Sequence, residues 1–269
     1  MKAIAVLPAA LLLGFFFAVP LASVGLESLA DGASAFGRVL ADPLLAQATR
    51  GSALLAITAA VLSVPAGLAV AFGLARLRPG LRTGLMFLIS LPLTFSGLVI
   101  AYGFILAYGR AGFVTLLLAE FGFDPVTVSG ALYSPVGLAC AYAYFLIPRV
   151  VAMLLPVVLN LDTRLADAAA SLGASRWRTL IDVTLPELLP SLGVAAALCG
   201  AIALGAYGTA LALVGTQSPI LPLLLYSRIA ETGSDFPAAA AMALLLAAGC
   251  TVVMALGEIA AVRRERRRA

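Results

Sequence analysis

Six long stretches of the sequence contain no charged residue, and they limit the possible folds more than any other feature. They cover residues 3–26, 51–75, 83–109, 125–148, 188–227 and 236–257. A helix that crosses the roughly 30 Å hydrocarbon core of a bilayer needs about 20 mostly apolar residues, and each stretch is long enough. Of the 269 residues, 62% are hydrophobic and only 11% are charged. Because soluble domains carry about 25% charged residues, a water-soluble globular fold is excluded.

These stretches predict an all-α integral membrane protein with six transmembrane helices in a single domain over residues 1–269. Spanning β-barrels are excluded, because their strands alternate apolar and polar residues over about 10 positions and these stretches are continuously apolar. The predicted helices cover residues 4–24, 52–74, 84–108, 135–158, 189–214 and 237–258. A cleaved signal peptide with small residues near Ala22 is an alternative for the first helix, but cleavage would leave an odd number of spans.

The composition excludes several kinds of chemistry. The chain has no histidine, and its only lysine is Lys2. Catalysis by histidine, metal sites built on histidine and the lysine-containing phosphate loop of P-loop ATPases are therefore ruled out. Cys140, Cys199 and Cys250 all lie in apolar stretches, where cysteine packs as a small apolar side chain. We expect a chain that is not an enzyme, binds no metal and has no disulfide framework.

The distribution of basic residues predicts the side of the membrane on which each loop lies. Lys and Arg near the ends of spans are retained in the cytoplasm. With both termini cytoplasmic, 13 of the 17 Lys and Arg residues lie on that side. The arginines at 263–268 then anchor the last span and do not indicate a nucleic-acid site. We therefore expect two cytoplasmic termini, the lipid bilayer as a partner and no bound nucleic acid.

The longest predicted cytoplasmic connection, the loop 161–186, has apolar residues at helical spacing. Asp162 or Thr163 can cap a first short helix that ends at Gly173, a residue suited to the left-handed conformation after a helix. A second helix, capped by Ser175, is expected to end at Pro186. Its apolar face consists of Trp177, Leu180, Ile181 and Thr184, at i, i+3, i+4 and i+7. Such a helix–turn–helix suits docking in the groove of a partner protein.

The same loop resembles the signature of permeases from binding-protein-dependent ABC importers. In that family an acidic–Ala–Ala triplet is followed by a glycine six residues after the acid, and later by Leu-Pro. The matching residues are Asp167, Ala168, Ala169, Gly173, Leu185 and Pro186, and the similar stretch at 172–177 adds Leu172, Arg176 and Trp177. Asp167 stands where the family usually has glutamate, so the negative charge is kept on a shorter side chain. Residues 91–93, 205–208 and 226–241 are also similar to the family, so the resemblance covers residues 50–260.

The resemblance implies a type I ABC importer permease fold, as a multi-pass protein of a bacterial inner membrane. The implied partners are a dimer of cytoplasmic ABC ATPases, a second permease that is identical or homologous, and a periplasmic or extracellular solute-binding protein. ATP and Mg²⁺ are then cofactors of the ATPase, and this chain binds none. By the same analogy Asp167 contacts the ATPase, Gly173 permits a sharp turn, and Trp177 packs the loop against the spans.

Polar residues inside the predicted spans are the candidates for the translocation pathway. They are Tyr102, Tyr142, Tyr144, Arg149, Tyr207 and Thr209. For Arg149 two interpretations stay open: its side chain reaches the lipid phosphates from the cytoplasmic end of the fourth span, or it lines the cytoplasmic mouth of a pathway. The resemblance points to the branch that imports polyamines, phosphonates, sulfate, molybdate, thiamine or ferric iron. A polyamine or phosphonate-like solute is the expected cargo.

Two other classes of function stay open. A secondary transporter driven by an ion gradient would be expected to place carboxylates or histidine inside its spans. An intramembrane enzyme would need a cluster of ionisable or metal-binding groups. The carboxylates of this chain lie in predicted loops or, like Glu258, at the end of a span. The permease of an ABC importer is therefore the preferred prediction.

Overall fold

The computed structural model describes residues 2–215, 219–230 and 235–266, and within these ranges the chain is helical, with no strand. The α-helices are α1 Lys2–Ser28, α2 Ser34–Leu40, α3 Pro43–Ala75, α4 Pro79–Ser90, α5 Gly97–Tyr108, α6 Phe113–Glu120, α7 Pro125–Leu132, α8 Pro135–Leu159, α9 Thr163–Ser171, α10 Arg176–Thr179, α11 Leu185–Gly205, α12 Gly208–Val214, α13 Leu221–Ala230 and α14 Phe236–Arg266. A 3-10 turn, Leu91–Thr94, separates α4 from α5. A π-helical turn, Leu180–Thr184, joins α10 to α11.

Six helical segments among the described residues are long and apolar enough to cross a membrane. They are Leu11–Ser28, Pro43–Ala75, Gly97–Glu120, Pro135–Leu159, Arg176–Gly205 and Phe236–Arg264. The prediction of an all-α membrane protein with six spans is confirmed. The second span begins at Pro43 and not near residue 52, because Asp42 caps it by accepting a hydrogen bond from the Leu44 N–H at 2.9 Å.

The fourth span, α8, forms the centre of the fold, with α3 and α11 packed against it. Leu146, Val150 and Leu154 of α8 are buried. Gly67 of α3 lets the two backbones approach, since a Cβ atom at this position would lie 2.5 Å from Cγ1 of Val150. Close approach through small residues is a common way for membrane helices to pack. The α3–α8 pair is therefore a closely packed contact of the core.

The first span, α1, lies at the edge of the fold and contacts mainly α14. Most of the apolar side chains described in α1 are exposed, and Phe16 keeps 71% of its surface uncovered. A large exposed apolar surface is unfavourable in water and matches the hydrocarbon of a bilayer. The packing of α1 is therefore that of a helix that faces lipid.

The third helix, predicted over 84–108, is interrupted near its middle, and the observed span begins only after the interruption, at Gly97. The helix α4 ends at Ser90, and after the 3-10 turn the backbone is extended at Phe95 and Ser96. Pro92 within the turn has no backbone N–H to donate. Ser96 then caps α5 by accepting a hydrogen bond from the Val99 N–H at 3.4 Å. A proline followed by a capping serine replaces one long helix by two shorter ones.

The fifth span, predicted as one helix over 189–214, is interrupted as well. The helix α11 ends at Gly205, Ala206 is extended, and α12 begins at Gly208. The two interruptions meet in space, because α12 packs against α5 and a Cβ atom on Gly97 would collide with Oγ1 of Thr209. Non-helical backbone at membrane depth is stable only inside protein or beside a water-filled cavity. The paired breaks therefore mark an interior region of the fold.

Ion pairs join α2 to the start of α14. The guanidinium of Arg38 donates to Asp235, with Nη2 2.9 Å from Oδ1, and to Asp31, with Nη2 2.9 Å from Oδ2. The hydrogen bond from Arg38 holds the pKa of Asp235 below its usual value. Arg228 and Asp42 form a second ion pair beside them. We call this end of the bundle the α2 end and the opposite end, which carries the loop 161–186, the α9 end.

Candidate functional site

The helix α9 is defined by local hydrogen bonds at both of its ends. Asp162 caps its start by accepting from the Arg164 N–H at 2.9 Å. At its other end Gly173 has a φ of 81°. Its N–H donates to Ala170 O at 2.9 Å, and the Ala174 N–H donates to Ala169 O at 3.0 Å. These two bonds are the Schellman arrangement, which requires the left-handed conformation that glycine adopts without strain.

The signature residues on α9 present an open surface. Asp167 and Ala168 are exposed, and Ala169 is half-buried. Leu172, directly after the helix, is 90% exposed. Asp167 forms no ion pair with any residue that the structure describes. Both its carboxylate and the apolar side chain of Leu172 are therefore free to contact another molecule.

The second helix of the loop does not end at Pro186, contrary to the prediction. Ser175 caps its start as expected, by accepting from the Arg178 N–H at 3.3 Å. The helix then continues through the π-helical turn, and Pro186 lies in the first turn of α11. A proline inside a helix clashes with the carbonyl four residues earlier, which here belongs to Asp182 in the π-helical turn. The wider turn accommodates the ring, so one helical path runs from the loop into the fifth span.

Trp177 is 75% exposed and does not pack the loop against the spans, so this prediction is wrong for the isolated chain. Trp177 and Arg176 instead border a groove of about 620 Å³ between the loop and the end of α3. Phe72, Arg76 and Asp167 also line this groove. Leu185 and Pro186 are half-buried where the loop joins α11. The signature residues therefore form two groups, an exposed one on α9 and α10 and a packed one at the start of the span.

Three of the predicted pathway residues lie at the paired helix breaks. Tyr142 of α8 is fully buried, and its hydroxyl donates to Ala206 O at 2.7 Å. This bond satisfies a carbonyl that the break in the fifth span leaves without a helical partner. Thr209 is buried against Gly97, and the ring of Tyr207 lies 5.1 Å from that of Tyr226 between centroids. These tyrosines and Thr209 shape the break.

Tyr102 and Tyr144 lie elsewhere and are exposed. Tyr144 makes an edge-to-face contact with Phe104, with 5.5 Å between ring centroids. The rings of Tyr144 and Phe104 border an apolar groove of about 440 Å³ on α5 and α8, together with Phe95 and Tyr108. The structure therefore does not bring the six pathway candidates together in one cavity.

Arg149 lies within the fourth span, whose observed bounds agree with the predicted ones to within one residue. It is ten residues before Leu159, the end of α8, or about 15 Å along the helix axis. Nη1 donates to Phe145 O at 3.2 Å, and the guanidinium carbon lies 5.6 Å from the centre of the Phe145 ring. No carboxylate among the described residues forms an ion pair with it.

Sequence reasoning missed the helix breaks themselves, and with them Ser96, Gly97 and Ala206. A signal for the first break was available, since Pro92 is followed by a Ser-Gly pair that suits the start of a helix. The second break had only the glycines at 205 and 208, which also suit helix packing. Within the described residues, no three His, Cys, Asp or Glu side chains lie close enough together to hold a metal ion.

Comparison with known proteins places these features in a family context. Residues 63–266 match the model of the family described as binding-protein-dependent transport system inner membrane component. The chloroplastic Sulfate permease 2 of Chlamydomonas reinhardtii is 32% identical over 244 residues, which are 89% of this chain and 64% of the relative. The chain thus spans less than two thirds of that relative. Sulfate transport system permease protein CysW of Synechococcus elongatus is 30% identical, over 80% of this chain and 74% of the relative.

Two further similarities concern a smaller relative and the fold. Molybdenum transport system permease protein ModB of Escherichia coli is 29% identical, over 85% of this chain and 98% of the relative. A chain in the crystal structure of a bacterial alginate ABC transporter, in complex with a periplasmic protein that holds an alginate pentasaccharide, has a TM-score of 0.76 at 17% identity. That similarity covers 95% of this chain and 92% of the other. At this identity it shows that the fold is shared.

Proposed function

This chain belongs to the binding-protein-dependent transport system inner membrane component family, and from this premise we propose that it forms the membrane pathway of an ABC importer for tetrahedral oxyanions. The chain supplies the spans, a separate ATPase supplies the energy, and a solute-binding protein delivers the cargo. The expected fold type and the class of transporter agree with the family. The residues that do the work, the second permease and the cargo are the parts that we propose.

The observation that carries the proposal is the exposed surface of α9. No residue of this helix whose side chain is described is buried, although it follows directly after the buried core helix α8. Leu165, Leu172 and Trp177 leave three large apolar side chains uncovered on the same short loop, and a patch of exposed apolar residues is typical of a surface that binds another protein. A pair of ATPases binds this surface on two permeases, with Asp167 at the contact. ATP and Mg²⁺ belong to those ATPases.

The continuous helix from α10 to α11 provides a route for the mechanical signal. ATP binding closes the ATPase pair and moves α9 and α10 as a unit. Because the helical path from Arg176 to Gly205 is unbroken, the movement reaches the break at Ala206. The break, with α5 beside it, then changes between a state open to one side of the membrane and a state open to the other.

The remaining partners follow from the same proposal. The α9 end faces the cytoplasm, as the arginine distribution indicates, and the α2 end receives the binding protein. A second permease, either a copy of this chain or a homologous one, completes the pathway. The membrane is a bacterial inner membrane. One relative is named as chloroplastic, so the family also serves membranes of that organelle.

The names of the relatives support sulfate or molybdate as cargo and give no support to the expected polyamine or phosphonate-like solute. The charges in the spans favour the same choice. A polyamine is a cation and would need carboxylates along its path, whereas Arg149 places a positive charge inside the fourth span. A pathway with this charge suits an anion.

The alternative of an ion-gradient-driven transporter is not favoured. Carboxylates that bind coupling ions lie within spans in such proteins. Glu187 lies in the first turn of α11 and Glu258 in the last third of α14, so neither of these carboxylates lies at the middle of its helix. An enzymatic role has no comparable support, since the relatives are named as permeases.

The first experiment asks whether an ATPase binds α9. The chain is expressed with its neighbouring genes, purified through a C-terminal tag, and assayed for a copurifying subunit that hydrolyses ATP. We expect copurification with the wild-type chain and its loss in Asp167→Ala combined with Gly173→Val. Asp124→Ala, at the residue just before α7 and outside the loop, is the matched control and should keep the subunit. A chain that purifies alone and whose transport ignores ATP would contradict the proposal.

A second experiment tests the cargo. The assembled complex is placed in proteoliposomes with its binding protein, and uptake of radiolabelled sulfate and molybdate is measured with and without ATP. We expect ATP-dependent uptake of at least one anion and none of a labelled polyamine. ATP-dependent uptake of the polyamine alone would overturn the choice of cargo and leave the permease assignment intact.

A further inference from the structure

Arg149 is a positive charge placed inside a span. The helix α8 has 25 residues and is thus about 37 Å long, only slightly longer than the hydrocarbon core of a bilayer of about 30 Å. With about 15 Å of helix between Arg149 and the α9 end, the residue lies within the hydrocarbon region and not at its edge. A charge at this depth is costly and is found mainly where it has a function.

The contacts of Arg149 within the chain do not neutralise this charge. One N–H donates to the carbonyl of Phe145, and the guanidinium lies over the ring of the same residue. Both partners are neutral, and no carboxylate among the described residues pairs with Arg149. Arginine carries five N–H donors in a planar fork. Most of this donor capacity is therefore available to a ligand.

The seam between α8 and α11 gives Arg149 a place along a possible route. On α8, Tyr142 donates to Ala206 at the helix break, and Arg149 lies two helical turns further toward the α9 end. Still nearer the α9 end, the same two helices border an open cavity of about 420 Å³ whose polar lining consists of Asn160, Ser191 and the carboxylate of Glu187. Arg149 thus lies between the break and this cavity.

From this arrangement we infer that the guanidinium of Arg149 binds the tetrahedral dianion during its passage, at a point between the helix breaks and the cavity at the α9 end. The inference rests on the proposed function and adds to it the residue that recognises the cargo inside the membrane. A planar fork of N–H donors pairs with two oxygens of a sulfate-like anion at once. The uncompensated positive charge attracts a dianion and repels cations.

The inference makes a kinetic prediction that separates Arg149 from the other parts of the importer. The external binding protein captures the solute, so the concentration of half-maximal uptake is set before the anion reaches Arg149. Loss of the charge should therefore lower the maximal rate and leave KM unchanged. Assembly with the ATPase depends on α9 and should also be unchanged, so less anion is carried per ATP hydrolysed.

The test uses the complete complex in proteoliposomes with the binding protein. Arg149→Gln and Arg149→Met remove the charge, the second with a flexible apolar side chain that suits lipid. Arg149→Lys keeps it. The matched control is Arg78→Gln, which removes an exposed arginine just before α4. Sulfate and molybdate uptake, ATP hydrolysis and recovery of the complex are measured for each variant.

We expect at least a tenfold lower maximal rate for both charge-removing variants, with KM and ATP hydrolysis within twofold of the wild-type values. Arg149→Lys should recover part of the rate, and Arg78→Gln should match the wild-type chain. If either charge-removing variant assembles and imports the anion within twofold of the wild-type rate, the inference is wrong while the proposed function stands. If the wild-type complex imports neither anion, the proposed cargo fails and the inference fails with it.

Discussion

Two consecutive helices, α8 and α9, differ in what holds them in place. The buried residues of α8 contact α3 and α11 along most of its length. No residue of α9 whose side chain is described is buried, and its contacts are with α10 and the π-helical turn that follow it in sequence. The position of α8 is therefore fixed by this chain alone. The position of α9 relative to the spans is left for a partner to fix.

The largest effect, a loss of folded protein, is expected from a substitution that disrupts the packing of α8 against α3. Gly67→Val places side-chain atoms where Val150 already lies, because even a Cβ atom would be 2.5 Å from its Cγ1. Overpacking of this kind costs about 1–3 kcal/mol or more. We expect a large loss of folded protein after detergent extraction, measured by size-exclusion chromatography and thermal unfolding.

Gly73→Val is the matched control for this variant, since it lies on the same helix and a Cβ atom there meets nothing within 4 Å. It should behave as the wild-type chain does. Equal recovery of the two variants would show that α3 and α8 do not pack as closely as described.

The next largest effect is a loss of ATP-driven uptake, expected from a substitution at the end of α9 that leaves the packing of the core unchanged. Gly173→Val forces a β-branched residue into a φ of 81°, which costs about 1–2 kcal/mol and opens the end of α9. We expect ATP-driven uptake to fall by at least tenfold with the unfolding temperature of the spans unchanged. Gly173→Asn should recover much of the uptake, because asparagine tolerates the left-handed conformation. Normal uptake in Gly173→Val would contradict the role given to the loop.

The same comparison explains what the sequence could predict. The six apolar stretches, both ends of α9 and the start of α10 have local signals, so charge-free length, Asp162, Gly173 and Ser175 were sufficient to predict them. The break at Ala206 was missed because a distant residue stabilises it, whereas the break before Gly97 also had a local signal in Pro92 and Ser96. Tyr142 holds the carbonyl of Ala206, and Thr209 lies against Gly97.

Other errors concern residues whose surroundings depend on neighbouring helices. A proline near the end of a helical pattern usually indicates a stop, but the π-helical turn lets the helix continue past Pro186. Trp177 belongs to a set of apolar residues at helical spacing, which indicates a buried helix face but does not show which protein covers it. Its 75% exposure in the single chain is consistent with burial by a partner. The roles of the signature residues stay predictions until the complex is measured.

A smaller effect is expected from Asp162→Ala. The carboxylate accepts from the Arg164 N–H at 2.9 Å, and loss of such a cap costs about 1 kcal/mol. Because α9 has no buried contact to compensate, we expect roughly fivefold weaker binding of the ATPase, since about 1.4 kcal/mol corresponds to tenfold. Asp162→Ser keeps a capping oxygen and should bind as the wild-type chain does. The measurement is a titration of the ATPase against the purified permease.

The ion pairs at the α2 end should contribute less, because they are exposed to solvent. The guanidinium of Arg38 lowers the pKa of Asp235 below its ordinary 3.8. A carboxylate with a depressed folded-state pKa stabilises the protein above its unfolded value, and this stabilisation is lost as the pH falls through the folded value. We therefore expect Asp235→Asn to unfold slightly earlier than the wild-type chain at pH 6, with the difference vanishing below pH 3.8. A difference that grows on acidification would contradict the assignment.

The smallest change in unfolding temperature is expected from a substitution inside the core, at Ser63 of α3. Its hydroxyl is buried and has no hydrogen-bond partner among the described residues. Removing an unpartnered buried polar group is nearly neutral or stabilising, so Ser63→Ala should leave the unfolding temperature unchanged or raise it. Ser52, also buried on α3, accepts a hydrogen bond from the Leu221 N–H at 2.8 Å. Ser52→Ala should lower the unfolding temperature, because it leaves the Leu221 N–H unpaired. If Ser63→Ala lowers the unfolding temperature more than Ser52→Ala does, Ser63 has a hydrogen-bond partner that the complete importer supplies. The packing of α3 against α8, like the position of α9, would then be completed by another chain.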